Sequence, residues 1–347
     1  MNQKNNELEV LESLSAEALD QLVYLVGTAR GGTTLLQKAI GLHDEILTFP
    51  GPTHFLNQVW RYRKKVSQRL LVQIFRLPGF YRENLTGNCQ KLVLARFINA
   101  SLNSLELKPM WQLYPIVYGL DKENTKDIGS VRCWLDKETN AYGLEKVKRR
   151  FKSAKFVFIL RDPRGATTSM AQRTVARTEG TFNPEISDES LIQSAIHWRF
   201  TIQRMRYFYK RNRSLSLDLR FEDFLDNPLQ RLNEIYEFLG VKTLSEDELR
   251  GRLETIPYKK TNDYSSEMEG HGISSKAKDR WRDSISSEQE GLIWAITGKT
   301  AQKLGYSGTP GTTPPHLFGI MSGVVGIKKK LVLSIKLLFL ACFERLI

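Results

Sequence analysis

The sequence predicts an α/β protein of three layers, a mostly parallel sheet flanked by helices. Leu22–Gly27 (LVYLVG) is a short apolar, β-branched run that stops at a glycine, as a strand buried on both faces does before it turns into a helix. Lys155–Leu160 (KFVFIL) repeats the pattern and runs into Arg161-Asp162-Pro163-Arg164, with Pro163 suited to the first turn of a helix. Further strand-like and helix-like segments alternate downstream, which implies parallel pairing through helical crossovers.

Taken in order, residues 33–42 read as the helix after the first strand. Basic, helix-like stretches follow, residues 61–76 among them. After the second unit, Leu191, Ala195, Trp198, Ile202 and Met205 recur at helical spacing, 215–219 (LSLDL) reads as a strand, and 229–239 as an amphipathic helix. There is no internal repeat and no heptad pattern. From Ser307 the turn-rich SGTPGTTPP cannot hold a regular element. The expected organisation is an acidic N-terminal extension, 1–20, one domain over 21–306, and a linker with a basic, apolar tail over 307–347.

Composition narrows the function. The chain has 347 residues, 41% hydrophobic and 26% charged, which fits a folded globular protein and excludes disordered or fibrous classes. A net charge of +13 points to a partner that is polyanionic or carries phosphate. The three cysteines, Cys89, Cys133 and Cys342, form no CxxC pair, so neither a disulfide framework nor a cysteine zinc site is expected, and no metal site is read. Lys4 faces Glu7, Glu9, Glu12, Glu17 and Asp20 in the first stretch, the opposite of a basic export leader. The apolar stretches 317–327 and 331–343 are separated by Lys328, Lys329 and Lys330 and fall short of the roughly 20 residues that span a bilayer. A cytoplasmic protein is expected, peripheral on a membrane if the tail docks there.

Between the first strand and helix lies Gly27-Thr28-Ala29-Arg30-Gly31-Gly32-Thr33-Thr34. A glycine-rich loop in that context presents backbone N–H groups and a helix N-terminus to a phosphate. Against GxxxxGK[ST], Gly27, Gly32 and Thr34 match, but Thr33 replaces the lysine that reaches the β- and γ-phosphates of a nucleoside triphosphate. Arg30 supplies a permanently charged fork inside the loop. By itself the segment is equally a Gly-rich turn with a surface arginine. In the second unit, Arg161 ends the strand and Ser169 stands about two turns into the helix, so both can face one anion. Alone, RDPR is a strand-to-helix junction with an ion pair.

Four segments, GTARGGTTLL, KFVFILRDPRGATTSM, LRFEDFLDNPLQRLNEIYEFLGV and DRWRDSISSEQ…LGY, resemble in order and spacing the sulfotransferases that use 3′-phosphoadenosine 5′-phosphosulfate (PAPS), over about residues 22–306. The resemblance implies a P-loop-like fold whose first loop binds the 5′-phosphosulfate through Arg30, Gly31, Gly32, Thr33 and Thr34. It implies that Arg161 and Ser169 bind the 3′-phosphate, and that Arg280 and Ser265 contact the nucleotide, as in the tyrosylprotein-type and bacterial-type branch. Phe221 stands where a tyrosine is frequent, leaving a ring to pack, and Gly31 where a serine is frequent. Lys137, in WLDKET, looks like the lysine that faces the sulfuryl group; a solvated lysine beside Asp136 and Glu138 is the plain alternative.

Sulfuryl transfer requires a base for the acceptor proton and fixed cations for the leaving and sulfuryl oxygens. Arg30 and Lys137 are the candidate cations. The carboxylate that relatives carry after the first helix is missing from FPGPTHF, so His54 is the candidate base, with a structural histidine as its alternative. His43 is expected to end the first helix, and His197 to pack in the core beside Trp198. The expected reaction consumes PAPS, releases 3′-phosphoadenosine 5′-phosphate (PAP) and sulfates a hydroxyl or amine acceptor. A basic nucleic-acid-binding protein, suggested by aromatics such as Tyr207, Phe208 and Tyr209 among basic residues, and a small-molecule kinase with a degenerate P-loop are the competing classes; no nucleic-acid motif is present. The tail suits the interface of an anionic membrane or a groove on this domain or a second subunit, and the membrane reading allows a lipid-linked acceptor.

Overall fold

A computed structural model describes residues 21–48, 126–179, 186–256 and 273–308. These build a five-stranded sheet in the order β2-β3-β1-β4-β5, every neighbouring pair parallel. The strands are β1 (Leu22–Gly27), β2 (Ile46–Thr48), β3 (Cys133–Glu138), β4 (Lys155–Leu160) and β5 (Ser216–Arg220). The helices are α1 (Thr33–Ile40), α2 (Leu144–Arg150), α3 (Pro163–Glu179), α4 (Asp188–Arg211), α5 (Phe221–Asp226), α6 (Pro228–Leu239), α7 (Glu246–Glu254) and α8 (Ser287–Gln302). Short 3-10 turns occupy Ser275–Lys278 and Arg280–Asp283. His54, Ser265, the stretch 61–76, the acidic extension and the tail beyond 308 lie outside the described residues. No helix among the described residues is long and apolar enough to cross a membrane.

Three layers follow from the alternation of strand side chains. Val23, Leu25, Leu135, Val157 and Ile159 join a core with Leu36, Ala39 and Ile40 of α1 and with α6 and α7. On the other face Phe156 meets Tyr24 at 6.1 Å and Phe208 of α4 at 4.6 Å between ring centroids. Helix α6 buries Leu232, Ile235, Tyr236 and Leu239, one stripe at helical spacing, and ends at Gly240 in the left-handed conformation. Each buried Leu or Ile there contributes about 1.5–3 kcal/mol.

The order of the strands fixes where a ligand can sit. From β1 the chain crosses through α1 towards β2 at one edge; from β4 it crosses through α3 and α4 to β5 at the other. Connections therefore diverge between β1 and β4, and the crevice at their carboxyl ends is the topological switch point.

The far end of α1 is tightly tied. The helix stops at Ile40, earlier than the sequence pattern suggests, and His43 sits in the turn beyond, its Nε2 2.6 Å from the Lys242 carbonyl while Nδ1 accepts from the Glu45 amide at 3.1 Å. Lys126 donates to the carbonyls of Gly41, His43 and Ile46 at 2.6, 2.8 and 2.5 Å. Arg252 of α7 reaches the Leu42 carbonyl at 2.6 Å and Asp44 at 2.8 Å. His197 is half-buried, whereas its neighbour Trp198 is fully buried.

Candidate functional site

At the switch point the loop after β1 folds back on itself, with the Gly31 amide donating to the Thr28 carbonyl at 2.9 Å. Arg30, at φ 59°, is the one non-glycine residue of positive φ among the described residues, and Gly32 follows at φ 90°. A left-handed arginine costs on the order of 1 kcal/mol, so the surrounding fold must hold it. A Cβ on Gly32 would lie 2.2 Å from the Phe221 ring, and one on Gly31 2.9 Å from the Thr28 carbonyl oxygen. A side chain at 31 would therefore require the loop to shift. Thr33 is buried and Thr34 exposed at the start of α1, where the helix dipole favours an anion.

The second junction is built from side chains. Arg161, leaving β4, donates from one terminal nitrogen to the Arg30 carbonyl at 2.7 Å and from the other to the Ala277 carbonyl at 3.0 Å. Its guanidinium carbon lies 4.7 Å from the Phe221 ring centroid, and its Nε is buried with no hydrogen-bond partner among the described residues. Burial pulls this guanidinium down to about 10; Glu222 and Asp162 oppose the fall, while the positive charges of Arg30 and Arg280 add to it. Arg280 is itself exposed. Arg30 Nε donates to Ser169 Oγ at 2.9 Å, so the two junctions touch.

Lys137 enters from β3. The strand register sets it level with Leu25, and its Nζ donates to Thr34 Oγ1 at 2.8 Å. It is 1% exposed, and Asp136 and Glu138 are buried with it, which overturns the solvated alternative. Glu138 accepts from the Thr139 amide at 2.8 Å and the Asn140 side chain at 2.9 Å.

The structure thus gathers Arg30, Gly31, Gly32, Thr33, Thr34, Lys137, Arg161, Ser169, Phe221 and Arg280 around the switch point. It also brings in residues to which the sequence reading gives no role. Glu222 accepts from the Asp162 amide at 3.0 Å and the Tyr306 hydroxyl at 2.9 Å, and burial raises its pKa. Thr28 is fully buried, its hydroxyl without a hydrogen-bond partner among the described residues. Arg164 lies within the quoted RDPR segment and Trp281 beside Arg280; only tertiary contact distinguishes them.

Chemically, guanidiniums from three separate segments that converge where a helix begins are suited to an anion. The sequence matches the sulfotransferase family over residues 23–246, from β1 to the start of α7. Among solved structures it is similar to the sulfotransferase domain of the olefin synthase of Synechococcus PCC 7002, at 17% identity, covering 83% of this chain and 95% of that one with a TM-score of 0.52. It is also similar to the sulfotransferase domain from the curacin biosynthetic pathway, at 16% identity, covering 83% and 98% with a TM-score of 0.50. At such identities the likeness is one of fold, and among curated proteins no sequence matches. With the family match spanning most of the sheet and both phosphate-type junctions, the chain belongs to the sulfotransferase family.

Proposed function

We propose that residues 21–306 form a catalytic domain that transfers a sulfuryl group from PAPS to a hydroxyl or amine acceptor. The observation that carries this reading is the convergence of Arg30, Arg161 and Arg280 at the switch point, with the buried Arg161 Nε lacking a hydrogen-bond partner among the described residues. A phosphate supplies acceptor oxygens for such a donor, and a buried guanidinium at this position is otherwise costly. The glycine loop with the start of α1 suits one end of a nucleotide charged at both ends and Arg161 with Ser169 the other. Phe221, buried against Arg161 and Gly32, supports both junctions from beneath.

PAPS supplies a sulfur(VI) centre whose bridging oxygen to the nucleotide leaves as the acceptor oxygen or nitrogen attacks in line. The loop amides and Arg30 hold the charged end and neutralise the sulfuryl oxygens. Lys137 Nζ, held by Thr34 in a buried setting, is the cation for the leaving oxygen. Thr34 belongs to the phosphate loop, so that bond couples the cation to the loop. The acceptor proton needs a base, and His54 remains our assignment for it.

Among the competing classes, the nucleic-acid reading loses one of its supports, because Phe208 is packed against Phe156 and Phe158 and offers no stacking surface. Calorimetric titration with PAP, followed by label transfer from PAPS into a lysate extract with the product identified by mass spectrometry, tests the proposal. Binding of PAP and a sulfated product are expected; failure to bind PAP would overturn it.

A further inference from the structure

Arg164, the second residue of α3, makes more contacts than an ion pair at a helix start requires. Its Nε and one terminal nitrogen grip the two carboxylate oxygens of Asp162 at 3.0 and 2.7 Å. The other terminal nitrogen reaches Glu290 of α8 at 2.9 Å, and a further bond runs to the Ser307 carbonyl at 3.0 Å. The flat guanidinium also lies 4.5 Å from the Trp281 ring centroid and 5.4 Å from that of Trp294. Asp162 and Glu290 keep it charged and fixed, so the planar group is a rigid platform for Trp281, which is 5% exposed.

Trp281 belongs to the 3-10 turn Arg280–Asp283 and is the neighbour of Arg280. Among the described residues, several side-chain contacts fasten the chain on either side of Arg280. Arg161 holds the Ala277 carbonyl, Lys278 pairs with Asp226, and Trp281 rests on Arg164 and, at 4.6 Å, on Arg282 of its own turn. Arg280 itself is exposed, yet its charge acts on Arg161. An exposed arginine on a short turn reaches a defined point only if its turn is immobilised, because a free side chain of this kind loses much rotamer freedom on binding.

We propose that Arg164 is a positioning residue for the donor: by clamping Trp281 it holds Arg280 beside Arg161, where the two guanidiniums take the 3′-phosphate together. The proposal rests on the PAPS reading above. Arg164 acts at a distance, its own hydrogen-bonding nitrogens being committed to Asp162, Glu290 and Ser307.

The test compares PAP with 5′-AMP, which lacks only the 3′-phosphate, by calorimetry on the full chain. Arg164→Ala is expected to weaken PAP roughly tenfold, as loss of one charge-assisted contact does, and 5′-AMP less than about twofold. The KM for PAPS should rise with kcat unchanged at saturation. Arg280→Ala should reproduce the loss, and Arg164→Ala/Arg280→Ala should be no worse than Arg280→Ala alone, the mark of residues acting as one unit. Equal PAP affinity in Arg164→Ala and wild type would overturn the proposal, as would equal losses of PAP and 5′-AMP, or losses that multiply in the double variant. If Arg164→Ala does not fold, Trp281→Leu removes the stacked partner and Arg164→Lys the planar fork. Each should then weaken PAP and spare 5′-AMP, and a variant that spares both would count against the proposal. A wild-type chain that binds 5′-AMP and PAP equally, or neither, would instead overturn the PAPS reading.

Discussion

The two ends of α1 collect cations in opposite ways. Beyond its C-terminus, Lys126, Arg252 and His43 meet backbone carbonyls and the carboxylate of Asp44, each acceptor within hydrogen-bonding distance. Positive charge there complements the negative end of the helix dipole. Before its N-terminus, Arg30 and Arg280 stand close enough to Arg161 to oppose its charge, at the end of the helix where positive charge is least favoured. Similar side chains thus make a structural joint at one end and, at the other, a cluster in which Arg161 and Arg30 are held by carbonyls and by Ser169 while positive charges still crowd Arg161. The general lesson is that a cation cluster points to a ligand where positive charges crowd together even though each already has an acceptor.

The contrast predicts opposite phenotypes. The largest effect is expected at Lys137: Lys137→Met should lower kcat by roughly two to three orders of magnitude while PAP still binds, since a cation aimed at developing charge acts mainly in the transition state. Steady-state kinetics and calorimetric titration with PAP check both. Next, Arg161→Ala and Ser169→Ala should raise the KM for PAPS roughly tenfold to a hundredfold with a smaller change in kcat, from the loss of a charge-assisted phosphate contact. Normal donor affinity in Arg161→Ala would dissolve the contrast between the two helix ends. Gly32→Ala should cost about 1–3 kcal/mol of stability in denaturant titration and weaken PAP, because a Cβ at φ 90° meets the Phe221 ring at 2.2 Å.

The smallest effect belongs to the joint. Burial holds the His43 pKa below its usual value, with Arg252 acting in the same direction and the Lys242 carbonyl, Glu45 and Asp44 opposing. The folded state therefore resists protonation that the unfolded chain accepts, so this contribution to stability is present above about pH 6.5 and is lost as pH falls below it. Urea midpoints measured from pH 7.5 to pH 5 should decline less steeply in His43→Gln, with donor KM unchanged at pH 7.5.

Much of this was legible before any coordinates. Strands buried on both faces, β1 and β4, announce themselves as unbroken apolar runs, and the loops after them carry Arg30 and Arg161. β3 hides because Asp136, Lys137 and Glu138 interrupt its apolar run, although all three are buried. β2 is too short to show a pattern. The Ser286–Gln289 capping box of α8 was available as a helix signal, since both side chains stand at the required spacing. What no local pattern carries is the long-range pairing of Arg164 with Trp281 or of Glu222 with Tyr306, because residues far apart in sequence meet only through the completed sheet.

The place of β1 in that sheet has a consequence for how the chain folds. It is the first strand among the described residues, yet it lies in the middle, hydrogen-bonded to β3 on one side and β4 on the other, both encoded far downstream. β3 and β4 are consecutive among the described strands but cannot pair with each other in this topology; β1 must slot between them. During synthesis, then, β1 has no permanent neighbour until β3 has emerged and keeps an open edge until β4 follows, and closing that long loop makes sheet assembly a late, slow event. Until β3 arrives the apolar strand Leu22–Gly27 is open on both edges, a segment of the nascent chain suited to chaperone cover.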